Sequence, residues 1–161
     1  MLHLVLDTNT ALSGLLWGGT PKRLIMAARA AEVTLFCSVP LLEELGGVIH
    51  RKKFTQPLTA RGLKAEELFN GYAALCRIVE PLQIQRTSID PDDDAVLATA
   101  LAAPADLIVS GDAKAIKGVR ALHSSVLRDF SGTCIADSNQ NRARALDRRL
   151  KEIIEDYKVK P

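Results

Sequence analysis

The chain has 161 residues and a net charge of +2, with 47% hydrophobic and 25% charged residues, the proportions expected of one soluble domain with its own core. No apolar run approaches the roughly 18 residues that cross a bilayer, and the N-terminus lacks the basic and apolar regions of a secretory signal. Near-neutral charge gives no argument for nucleic acid by itself, and the widely separated Cys37, Cys76 and Cys134 offer neither zinc spacing nor a disulfide framework, which suits a reducing cytoplasm.

Leu2-His3-Leu4-Val5-Leu6 is an almost unbroken apolar run that ends in Asp7-Thr8-Asn9. Such a run predicts a buried strand, in a parallel sheet, with an aspartate at the carboxyl end where open α/β sheets place their ligands. A short helix is expected from Ala11 to Leu16, stopped by Gly18-Gly19. Thr20 then caps a helix with Pro21 in its first position and Lys22 and Arg23 near its start. Val33 to Cys37 predicts a second strand, and Ser38 an N-cap for a helix from Val39 to about His50 containing Glu43 and Glu44. Arg51-Lys52-Lys53-Phe54 reads as a basic loop closing that helix.

From Thr59 to about Val79, Leu63, Leu68, Tyr72, Leu75 and Ile78 recur at helical spacings, which predicts one long helix between Pro57 and Pro81. Ile84 to Ile89 is a variable connection. Asp90 caps the next helix and Pro91 opens it, with Val96, Leu97, Ala100 and Leu101 on the buried side. Ala105 to Ser110 is a strand running into Gly111-Asp112, which repeats the design of the opening stretch. A short helix and a weaker strand around Val119 to Leu127 complete the sheet. The alternation predicts an α/β fold of three layers, α/β/α, around a mostly parallel sheet. Residues 138–161 are read as a tail on a domain of residues 1–137. This tail carries seven Lys/Arg against four acids, and the domain 14 basic against 15 acidic residues. Asn139 to Lys158 forms an amphipathic helix whose narrow seam is Ala143, Leu146, Leu150, Ile153 and Tyr157. That seam must be covered by the domain, a second copy or a partner.

Acids fall at four strand ends or helix starts: Asp7, Glu43/Glu44, Asp90/Asp92/Asp93/Asp94 and Asp112. In a doubly wound sheet these places share one edge, and carboxylates gathered there repel unless protonated or neutralised. A hard divalent cation, Mg²⁺ or Mn²⁺, is the natural neutraliser and promotes displacement at a phosphodiester. For Asp90, Asp92 and Asp94 capping and dipole complementation are a sufficient account, and for Glu43 a solvated helix face. An aspartate ending a buried strand is different, because its desolvation has to be compensated. That argument singles out Asp7 and, almost equally, Asp112. The three cysteines read as core residues, and His3, His50 and His123 show no partner spacing.

Taken together, the stretches resemble the PIN-domain ribonucleases, in particular the stand-alone toxin components of toxin–antitoxin modules (VapC-type). Leu4-Val5-Leu6-Asp7-Thr8-Asn9 matches the family's opening strand and first ligand. Ser38 through Glu44-Leu45, with Arg51-Lys52-Lys53-Phe54 after it, is similar to its second acidic helix and favours Glu44 over Glu43. Asp90-Pro91-Asp92-Asp93-Asp94-Ala95-Val96-Leu97-Ala98 is similar to the third motif and points to Asp93, with Asp94 and Asp90 as alternates. Ile108-Val109-Ser110-Gly111-Asp112 is similar to the fourth. The likeness covers about residues 1 to 127; it departs after the Gly-Asp turn, where Ala113-Lys114-Ala115-Ile116-Lys117 is less apolar than the family's usual short helix, and at the end, where a long helix is appended.

The resemblance implies a metal-dependent endoribonuclease with Asp7, Glu44, Asp93 and Asp112 holding Mg²⁺ or Mn²⁺, and Asn9 and Ser110 supporting them. Lys22, Arg23, Arg51, Lys52 and Lys53 are candidates for steering RNA, and Trp17, expected near the metal edge, for stacking a base. It further implies a homodimer silenced by a cognate antitoxin. Two rivals are a haloacid-dehalogenase-type phosphatase, which needs an aspartate where Asn9 stands, and a non-catalytic PIN module that binds RNA or protein.

Overall fold

The computed structural model describes residues 1–84, 91–103, 105–111, 126–128 and 133–136, and in the tail 145, 148, 149, 151–153 and 155. Of 91–93, 126–128 and 133–136 it describes the backbone alone. β1 (Leu2–Leu6) takes the interior of the sheet because it is apolar toward both faces, and Leu4, Val5 and Leu6 are all buried. It pairs in parallel with β2 (Val33–Cys37) on one side and with β4 (Leu107–Val109) on the other. Leu35, Leu4 and Leu107 stand in one register row across these strands, each at most 1% exposed.

The described strands form one sheet in the order β3-β2-β1-β4-β6-β5, where β3 is Arg77–Ile78, β5 is Val126–Arg128 and β6 is Thr133–Ala136. β3, β2, β1 and β4 are parallel, while β6 runs antiparallel to both β4 and β5. The expected three-layer α/β/α architecture with a mostly parallel sheet is therefore present. The chain steps outward from β1 to β2 to β3, then returns through α6 (Pro91–Ala102) to β4 on β1's other side. The reversal falls between β1 and β4, and it is at such a switch point that strand ends leave a crevice.

Several element boundaries differ from those read in the sequence. α1 spans Thr8–Leu16 rather than starting at Ala11, because the Asp7 side chain caps it. α2 spans Gly19–Arg29 with Gly18 at its cap position and no side-chain cap, so Thr20 lies inside the helix. α3 (Val39–Ile49) is as expected. The basic loop is instead the start of α4 (Lys52–Ala60), with Arg51 at its cap position and Pro57 inside it.

The single long helix predicted over Thr59 to Val79 is three elements, namely the end of α4, α5 (Ala65–Leu75) and β3. A left-handed Gly62, φ 65°, stops α4, with Gly62 N–H donating to Thr59 O at 3.0 Å and Leu63 N–H to Leu58 O at 2.9 Å. Arg61 also donates to the carbonyl of Leu16, tying the end of α4 to the last residue of α1. β6 was not foreseen. The expected connection over Ile84–Ile89 and the short helix before Val126 lie almost wholly outside the described residues. In the tail, Ile153 is 3% exposed and belongs to the domain's hydrophobic core, so the seam is buried on its own chain at that point; Ala143, Leu146, Leu150 and Tyr157 lie outside the described side chains.

Candidate active site

Asp7 follows β1 with extended backbone, is 7% exposed, and has both carboxylate oxygens engaged. Oδ1 accepts from Thr10 N–H at 2.6 Å, and Oδ2 from the hydroxyl of Ser110 at the end of β4. Its own N–H donates to Val109 O at 3.1 Å, continuing the β1–β4 ladder. Burial of this carboxylate is thus offset by two donors, one from each side of the switch point. β1 and β4 are the parallel neighbours that the repeated apolar-run-to-aspartate design requires.

The rest of the first turn of α1 extends the network. Thr8, 5% exposed, donates its hydroxyl to Glu44 Oε2 at 2.6 Å, which brings the half-buried Glu44 of α3 to the residue next to Asp7. Thr10, also buried, accepts the Gly111 N–H on Oγ1 at 3.1 Å and so holds the turn that leads to Asp112. Ser38 stands at the cap position of α3 as expected but makes no cap bond. Its hydroxyl instead meets Thr99 Oγ1 of α6 at 2.7 Å, and Thr99 donates to Ala95 O at 2.7 Å. This bridge joins α3, which carries Glu44, to α6, which carries Asp93 and Asp94.

Asn9 is exposed on α1 rather than buried behind Asp7, Glu43 is exposed, and Asp94 is half-buried. Asp93 lies in the first turn of α6 with its side chain outside the description, and Asp90 and Asp112 lie outside the described residues. Lys22, Arg51, Lys52 and Lys53 are exposed and Arg23 is half-buried; the Lys53 ammonium sits 4.9 Å from the centre of the Phe54 ring. Trp17 is 54% exposed but closes the far end of α1, about 15 Å along the helix from Asp7. The expectation that it stands near the acids is corrected by the length of that helix.

Sequence reading missed Thr8, Thr10 and Thr99, because a threonine in a polar turn or a helix gives no sign of which distant residue it meets. It also missed Tyr72, expected only as a core position. Tyr72 is 2% exposed; burial raises its phenol well above the ordinary value, and the neighbouring Cys76 and Cys37, with Asp7, add to this. Cys37 and Cys76 are free and buried, as expected of core residues. Their hydrogen bond to each other and burial hold the Cys76 thiol above its ordinary range.

Among the described residues no three His, Cys, Asp or Glu side chains form a metal-holding group. The donors that do gather at the β1–β4 edge, the carboxylates of Asp7 and Glu44 with the hydroxyls of Thr8 and Ser110, are all oxygen. That chemistry suits a hard cation and not a thiophilic one. A family model described as PIN domain matches residues 3–114. No curated protein and no solved structure matches the chain.

Proposed function

The chain belongs to the PIN-domain family, and from that premise we propose that it is a metal-dependent endoribonuclease, the toxin of a toxin–antitoxin pair. Members of this family are generally nucleases that use divalent metal ions, and no described helix is long and apolar enough to cross a membrane. The observation that carries the proposal is the buried Asp7 at the β1–β4 switch point, with Ser110 on one oxygen and Glu44 joined to the adjacent Thr8. Asp7, Glu44, Asp93 and Asp112 hold Mg²⁺ or Mn²⁺, with Asp94 and Asp90 as alternates for Asp93. The cation, when bound, activates water and offsets charge on the phosphate.

The chain's own residues do the positioning. Ser110 and the Thr10 N–H hold the Asp7 carboxylate in place, and Asn9 is exposed beside it on α1. Lys22, Arg23, Arg51, Lys52 and Lys53 attract the RNA backbone. The remaining parts of the proposal, a cognate antitoxin and a homodimer, follow from the family likeness, and a cytoplasmic location from the cysteine usage. The test is cleavage of a mixed, partly structured RNA with Mn²⁺, with Mg²⁺ and with EDTA, Asp7→Asn alongside. Cleavage that needs metal and disappears in Asp7→Asn is expected. Absence of cleavage in every lane, with metal binding intact, overturns the enzyme in favour of a binding module.

A further inference from the structure

We propose that Thr8 is a positioning residue that holds Glu44 in the conformation in which it meets the divalent cation, an inference that rests on the metal-dependent reading above. A threonine in the first turn of a helix ordinarily turns its hydroxyl to nearby backbone. Here capping is already done by Asp7, whose Oδ1 takes the Thr10 N–H. The Thr8 hydroxyl is thereby released for a carboxylate 36 positions away, at 2.6 Å. An ionised carboxylate only accepts, so the proton direction is fixed, and the short separation is that of a charge-assisted bond. Thr8 is 5% exposed, so its hydroxyl is largely shielded from water.

The geometry points to a specific task. Glu44 sits mid-helix in α3 on a long side chain, α1 packs on α3, and the Thr8 hydroxyl is one of the contacts that orient its carboxylate. A β-branched residue is stiff at χ1, so Thr8 offers its hydroxyl from a fixed point directly after Asp7. One oxygen of Glu44 is thus referenced to the backbone that also places Asp7. A carboxylate has about four lone-pair sites, so accepting from Thr8 does not use up its capacity to bind a cation. Partners of this kind behind a ligand set its orientation, and their loss lowers metal affinity.

The experiment is calorimetric titration of Mn²⁺ into the full chain, as wild type, Thr8→Val, Thr8→Ser, Glu44→Gln and Thr8→Val/Glu44→Gln. Melting of each variant in EDTA verifies that the protein measured is folded. Thr8→Val is expected to weaken Mn²⁺ binding by about 10- to 100-fold, and Thr8→Ser, which keeps the hydroxyl, to restore it close to the wild-type value. In the Glu44→Gln background Thr8→Val is expected to add no further loss, because Thr8 acts through Glu44. Wild-type binding that is unchanged in Thr8→Val overturns the positioning role while leaving the metal site standing. So does an undiminished Thr8→Val effect in the Glu44→Gln background, which marks a structural role only. A wild-type chain that binds no Mn²⁺ overturns both this inference and the reading beneath it.

Discussion

At the scale of single residues, Asp7 has two duties that substitution can separate. It caps α1 through Oδ1, and it presents a carboxylate at the switch point. Asparagine caps as well as aspartate does, while alanine leaves the Thr10 N–H without its acceptor. Asp7→Asn is therefore expected to lose metal-dependent cleavage with little change in the denaturant midpoint, whereas Asp7→Ala loses about 1 kcal/mol more stability. Tyr72 allows a second separation. Its raised pKa means that the folded chain keeps the phenolic proton more tightly than the unfolded chain. The stabilisation is complete below the ordinary value of 10.0 and is lost as pH rises beyond it. The melting temperature is expected to fall with pH above 10, and to fall less steeply in Tyr72→Phe; equal slopes refute the assignment.

At the scale of elements, the Ser38–Thr99 bond bridges α3 and α6, the helices that carry the second and third acidic stretches. Ser38 and Thr99 are both fully buried and bonded to each other, but Thr99 also has the Ala95 carbonyl. Removing the two hydroxyls is therefore not equivalent. Ser38→Ala leaves Thr99 satisfied and is expected to cost about 1 kcal/mol, while Thr99→Val strands the Ser38 hydroxyl in the core and costs about 1 to 3 kcal/mol. The double variant should lose less than the two single losses added together, measured by denaturant unfolding. The break at Arg61-Gly62 belongs to the same scale. Helical spacing over Leu63 to Ile78 was real, but a left-handed glycine stops α4, and Arg77-Ile78 joins β2 as an edge strand. Two residues are too few for a period of two to declare itself.

For the whole molecule, Ile153 shows how the tail relates to the domain. It is 3% exposed within the core that contains Leu4, Leu35 and Leu107. Truncating a buried isoleucine removes apolar burial and leaves a cavity, so Ile153→Ala is expected to lose about 2 to 5 kcal/mol with no change of mass in solution. A drop in mass without loss of stability assigns the residue to an interface between copies instead.

What the sequence determined by itself is the set of features with local or periodic signatures. The apolar runs of β1, β2 and β4 stand where expected to within a few residues, α1, α2, α3 and α6 follow from spacing and turn signals while α4 and α5 do not, and Asp7 stands out because a carboxylate ending a buried run needs a reason. The three-layer fold follows from the order of those elements, since parallel neighbours require crossovers that cover the sheet. Only the tertiary structure decided which side chains meet. That Thr8 reaches Glu44, that Ser110 and the Thr10 N–H share Asp7, and that Ser38 reaches Thr99 instead of capping α3 are contacts between residues up to 103 positions apart. A hydroxyl bonds over a few ångströms and in almost any direction, so its sequence neighbours carry no trace of its partner until the sheet brings β1 and β4 together.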